Sequence, residues 1–133
     1  MNIGQTQNSS LSFYKAFQRC MEQRQVGPAQ IEFLVVPAIV SAAFSVELGM
    51  KTLLLRRDDT FKSHNLEKLF GKLNGSEQAA LIAAVGFTDV DFKRELATVA
   101  NAFEEWRYIY EQSAASVNLD FLQKLATAVQ GLL

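Results

Sequence analysis

"SVELGMKTLLLRRDDTFKSHNLEKLF", residues 45–70, is the stretch whose reading decides the fold. Its first half is a continuous apolar run with helical spacing, ending in Arg56 and Arg57, where cations suit the negative end of a helix. Glu47 and Lys51 stand one turn apart inside that run, in the order that favours a helical ion pair. The helical neighbours of Glu47 are Ala43, Val46, Leu48, Met50 and Leu54, so its carboxylate is expected to be partly buried. A buried carboxylate without a partner costs several kcal/mol, about 3–5 when a pair is broken, so something must face it. A structural pair at the core's edge is the plainer reading, and a pocket is the alternative.

Working outward, nearly every segment has helical spacing, and no alternating run of strand type stands out. Residues 11–25 place Leu11, Tyr14, Phe17 and Met21 on one face. "GPAQ" reads as a helix start with Pro28 in its first position, and this second helix is expected to reach about Arg57 with a kink near 33–37 at Pro37. "DDTFKSHN" reads as a polar loop, with His64 or Asn65 capping the next short helix. Ser76 is expected to cap "SEQAALIAAV", and Gly86 to end it. Thr88 and Asp91 have capping-box-like spacing and open a helix predicted to reach about Gln112. Along it Phe92, Leu96, Val99, Phe103, Trp106 and Tyr110 form a seam. Asn118 or Ser116 begins a last helix striped by Leu119, Leu122, Leu125 and Val129.

These segments predict a single all-α domain over residues 1–133, an up-and-down antiparallel bundle of four to five main helices plus short ones. Residues 1–10 are expected to be a disordered tail. A hydrophobic fraction of 49% and a net charge of −1 are those of an ordinary globular chain, without the basic balance of a dedicated nucleic-acid binder. With Cys20 the only cysteine and His64 the only histidine, no internal disulfide is possible and no metal site or cofactor is expected. The polar N-terminus lacks the layout of a secretory signal, and the uncharged run 33–46 is too short to span a bilayer. The expected location is the cytoplasm, without membrane contact.

Two further features could carry chemistry. Arg107 interrupts the aromatic seam beside Tyr108 and Tyr110, with Glu111 one turn on, which suits either an acid on a facing helix or a pocket. Histidine suits acid–base work near neutral pH, but no Ser, Cys or second His lies near His64 to complete a nucleophilic set. Arg57 and His64 are separated by six residues, across a helix end and a loop rather than along one helical face.

The segments "SVELGMKTLLL", "SHNLEKLF" and "AFEEWRYIYE", in this order over roughly residues 28–112, resemble the HEPN superfamily of small helical bundles, in particular its stand-alone bacterial members. The resemblance implies a helical domain that dimerises and often works beside a partner such as a small nucleotidyltransferase. Many such relatives are metal-independent endoribonucleases of toxin–antitoxin or phage-defence systems, with an arginine followed by a histidine four to six residues later on a late helix. Here the late-helix arginine is Arg107, and Tyr-Ile-Tyr-Glu-Gln follows with no histidine. The expectation is therefore a non-catalytic domain acting by dimerisation or partner binding. It would carry a nucleotide- or RNA-binding pocket built from Glu47, Lys51, Arg107, Tyr108, Tyr110 and Glu111, with Glu47 facing Arg107. The alternative is an endoribonuclease using Arg107 and His64.

Overall fold

The computed structural model describes residues 2–109 and 117–133, and the chain is predominantly helical. In order come α1 (Ile3–Cys20), β1 (Arg24–Gly27), β2 (Gln30–Glu32), α2 (Val35–Leu55), α3 (Leu66–Lys72), α4 (Gly75–Val85), α5 (Asp89–Val99), α6 (Ala102–Arg107) and α7 (Leu119–Leu132). The central element is α2, against which α1, α3, α6 and α7 pack, while α4 packs on α7. By length and composition α2 could cross a membrane, but 72% of its apolar window is buried inside the fold, which makes it the core helix of the bundle.

The helix α1 runs antiparallel to α2, with Gln7 beside Arg56, Ser10 beside Ser45, and Phe13 beside Phe44. Their backbones approach closely because the contact is built from small residues. The Ser10 hydroxyl donates to the Ser45 carbonyl at 2.7 Å, and the Ser45 hydroxyl returns a bond to the Ser10 carbonyl at 2.8 Å. The Gln130 amide of α7 donates to the Ser10 hydroxyl at 2.8 Å, so a third helix closes the polar contact. Gly49 lies beside it, where a Cβ would overlap Val129 of α7. The apolar core continues through Phe92 and Phe121, whose rings meet edge to face at 5.4 Å, and through Leu96, Leu122, Leu125 and Val129.

The expected disordered tail is instead the first part of α1. Asn2 caps this helix by accepting from the Gln5 N–H, and Thr6 and Ser10 on its inner face are buried. Apolar spacing overlooks such a face, because its polar groups are satisfied by hydrogen bonds rather than by hydrocarbon contacts.

The second helix is shorter than expected. Residues 24–32 form an antiparallel hairpin with a register irregularity between Gln25 and Gly27. Pro28 stands in its turn, where a fixed φ is as suitable as at a helix start. Pro37 is the third residue of α2, in the first turn, where its missing N–H breaks no helical bond and no kink is required.

The predicted helix 89–112 is also divided, into α5 and α6 at Ala100–Asn101. The predicted seam is nevertheless buried at Phe92, Leu96, Val99 and Phe103, while Tyr110 lies outside the described residues. Among the caps, Asn65, Thr88 and Asn118 each accept from a first-turn N–H, and Gly86 ends α4 at φ 80°. The α4 cap is Asn74 rather than Ser76, in a complete capping box with Glu77.

The end of α2 is closed by Asp58, the one non-glycine residue with positive φ (56°) among the described residues. Its N–H donates to the Leu55 carbonyl and that of Asp59 to the Leu54 carbonyl, a Schellman arrangement that favours glycine at position 58. An acid there also opposes the helix dipole. Asp58→Gly is therefore expected to stabilise the protein by about 0.5–1 kcal/mol in chemical denaturation. A loss of stability would show that the aspartate side chain makes a contribution of its own.

Candidate functional site

The loop after α2 folds back along it and brings His64 over Glu47. Two hydrogen bonds hold its far end: the Leu66 N–H donates to the Ala100 carbonyl at 2.8 Å, and the Asn65 side-chain amide donates to Asn101 Oδ1 at 3.0 Å. Both acceptors belong to the junction between α5 and α6. The break in the predicted long helix thus supplies the anchor for the loop that carries the histidine.

Glu47 is 1% exposed and accepts from two side chains. The Lys51 ammonium donates to Oε2 at 2.9 Å within α2. His64 Nδ1 lies 2.9 Å from Oε1 and 3.0 Å from Oε2. An ionised carboxylate only accepts, so Nδ1 is the nitrogen that carries the proton and the ring is held in one tautomer and orientation. The other nitrogen, Nε2, has no hydrogen-bond partner among the described residues, and the side chain is 47% exposed. Lys51 is 9% exposed and uses one of its three N–H donors on Glu47.

A cleft of about 540 Å³ opens beside this triad. Its apolar wall is Leu54, Leu55 and Phe61, and its polar lining is Lys51, Thr60, Lys62, Ser63 and His64. Lys72 adds a cation 5.3 Å from the Phe61 ring centroid. Between residues 51 and 72 Lys and Arg outnumber Asp and Glu by six to three, in a chain whose net charge is −1. Arg57 is paired with Glu77 at 2.8 Å, whereas Lys62, Lys68 and Lys72 have no carboxylate partner among the described residues. The cleft's own lining carries Lys51 and Lys62 and, among the described residues, no carboxylate.

Of the predicted pocket residues, Glu47 and Lys51 come together, and His64 joins them. Arg107 is not a partner of Glu47: its guanidinium lies over the Phe103 ring at 4.5 Å and 5.2 Å from that of Tyr108. Phe103 connects the two groups, since His64 packs against the same ring at 5.5 Å and Phe44 stacks on it at 4.4 Å. Tyr108 is exposed on α6's C-terminal side, while Tyr110 and Glu111 lie outside the described residues. Arg57 and His64 engage different acids and form no joint site.

Sequence reading overlooked Thr60, Phe61, Lys62 and Ser63, which look like an ordinary solvated loop. The available signal was an aromatic residue and a lysine placed between hydroxyl residues, directly before the only histidine. Among the described residues no group of three or more His, Cys, Asp or Glu is placed to hold a metal ion. In its present form the arrangement offers an oriented imidazole, a partly buried ammonium and a cationic cleft, which can bind an anion or move a proton near one.

Comparison with known protein families, characterised proteins and solved structures finds no match to this chain.

Proposed function

We propose that this is a HEPN-like binding domain that acts in the cytoplasm by associating with a second copy or a protein partner, and that holds a nucleotide or RNA at the Glu47–Lys51–His64 site. The observation that carries the reading is His64: a buried carboxylate holds one ring nitrogen, while the other has no partner among the described residues and stands beside the cleft. A pair serving packing alone has no need of a cationic cavity next to it. Association is supported by a second surface. Val26 and Ile31 of the hairpin are 57% and 68% exposed, and Phe33, Leu34 and Val35 continue the exposed apolar run into α2.

The second reading, a metal-independent endoribonuclease of toxin–antitoxin or defence type, is favoured by the same imidazole. An oriented histidine beside a lysine is a general acid or base next to a group that stabilises charge on phosphate. Arg107, across the shared Phe103 ring, would be the second cation.

Incubating labelled RNA with the purified protein without added metal separates the two. The expected result is RNA that remains intact with wild type, His64→Ala and Arg107→Ala, and a dimer in the same preparation by sedimentation. Cleavage abolished by both substitutions would replace the binding reading with the nuclease. Intact RNA with a strictly monomeric protein would remove self-association.

A further inference from the structure

We infer that the cleft between the end of α2 and residues 60–64 takes a phosphate monoester carried on a planar aromatic body, as in a 5′-nucleotide or the 5′-phosphorylated end of an RNA, rather than an internal phosphodiester. This rests on the binding reading above and goes further by naming the terminal phosphate as the recognised group.

The donors determine the charge and shape of the ligand. Lys51 has two N–H groups not used by Glu47, Lys62 has no acid partner among the described residues, and Thr60 and Ser63 add hydroxyls to the same lining. His64 Nε2, which carries no proton in this tautomer, adds an acceptor to the lining rather than a donor, a match for the P–OH of a singly protonated monoester that a diester lacks. A monoester presents three terminal oxygens to such a group and carries up to two negative charges, whereas an internal diester presents two oxygens and one charge. Ion pairs with phosphate gain strength with each charge-assisted hydrogen bond, so the monoester is the better match.

Glu47 works in favour of this selection. It lies behind Lys51 and His64, buried, and holds both by their inner atoms at 2.9–3.0 Å, so the two unused Lys51 donors and the His64 Nε2 acceptor are directed by a fixed scaffold. The organic part of the ligand is set by the other wall. Leu55 and the half-buried Phe61 supply the apolar side of the lining, backed by the buried Leu54, and an aromatic ring is a stacking platform tolerant of any base. The volume of about 540 Å³ is within the range of small-molecule sites.

The test is calorimetric titration of the full chain with the four 5′-nucleoside monophosphates, adenosine, and the dinucleotide ApA, which has an internal diester and no terminal phosphate. At least one monophosphate is expected to bind, and to bind about tenfold or more tightly than adenosine and ApA. Lys51→Ala risks unfolding, because it isolates Glu47, so the variants are Lys62→Ala, at an exposed position, and Phe61→Ala. Lys62→Ala is expected to weaken the monophosphate about tenfold. Phe61→Ala is expected to weaken it while leaving titration with inorganic phosphate unchanged.

Equal binding of ApA and a monophosphate would overturn the terminal-phosphate inference and leave the RNA-binding reading standing. Failure of all four monophosphates alongside equal retention of an RNA oligonucleotide with and without its 5′-phosphate would have the same meaning. Failure of the monophosphates and of RNA together would remove the inference and the reading on which it rests.

Discussion

Replacing Lys51 with alanine is expected to lower the unfolding free energy by about 3–5 kcal/mol. The reason is Glu47, whose carboxylate is almost completely buried and depends on the ammonium one turn away for its nearest cation. His64 would remain, but its ring is half exposed and a single hydrogen bond does not replace a full positive charge. The informative control removes both members. Glu47→Leu combined with Lys51→Met leaves an apolar pair of similar size on a helix that is otherwise uncharged, and such exchanges are neutral or stabilising by about 1–4 kcal/mol. The double variant should therefore unfold at higher urea than Lys51→Ala alone. If Lys51→Ala stays within about 1 kcal/mol of wild type, the carboxylate is not relying on the lysine, and the account of the pair is wrong.

Gly49→Ala is expected to destabilise by about 1–3 kcal/mol, although alanine is the better helix former by up to about 1 kcal/mol. The added methyl would enter space held by Val129 on α7 and press on the Ser10 hydroxyl at 3.1 Å, which is already engaged with Ser45 and Gln130. The conflict lies between two helices, so it can be relieved from the opposite side. In a Val129→Ala background the cost of Gly49→Ala should shrink, a coupling that residues in direct contact show and distant ones do not. Equal costs in both backgrounds would mean that the close approach of α2 and α7 at Gly49 is not what the substitution disturbs.

Legibility in the sequence followed the kind of force at each place. Where burial is hydrocarbon against hydrocarbon, as along Phe92, Leu96 and Val99 or the stripe of α7, spacing alone identified the face. Where a side chain bonds its own backbone, as at Thr88 and Asn118, cap chemistry located the helix start. The start of α1 escaped because its inner face is Thr6 and Ser10, buried through hydrogen bonds to partners 4 and 35 residues away. The hairpin escaped because the Gly27–Pro28 pair signals both a turn and a helix start, and the flanking Val26 and Ile31 were too few to decide. At the candidate site, the Glu47–Lys51 spacing was readable along one helix, and the need for a further partner followed from burial. That the partner is His64 rather than Arg107 depends on how a ten-residue loop returns to the helix, and no local pattern encodes that path.

The division between α5 and α6 has a consequence for motion. Residues 56–65 are fastened at the start by the turn at Asp58, in the middle by the imidazole on Glu47, and at the end by Leu66 on the Ala100 carbonyl. None of these ties requires α2 to unwind when it releases. The segment thus forms a small cooperative unit with its own opening equilibrium, and its amide protons should exchange through that local opening well before those of α2 exchange through global unfolding.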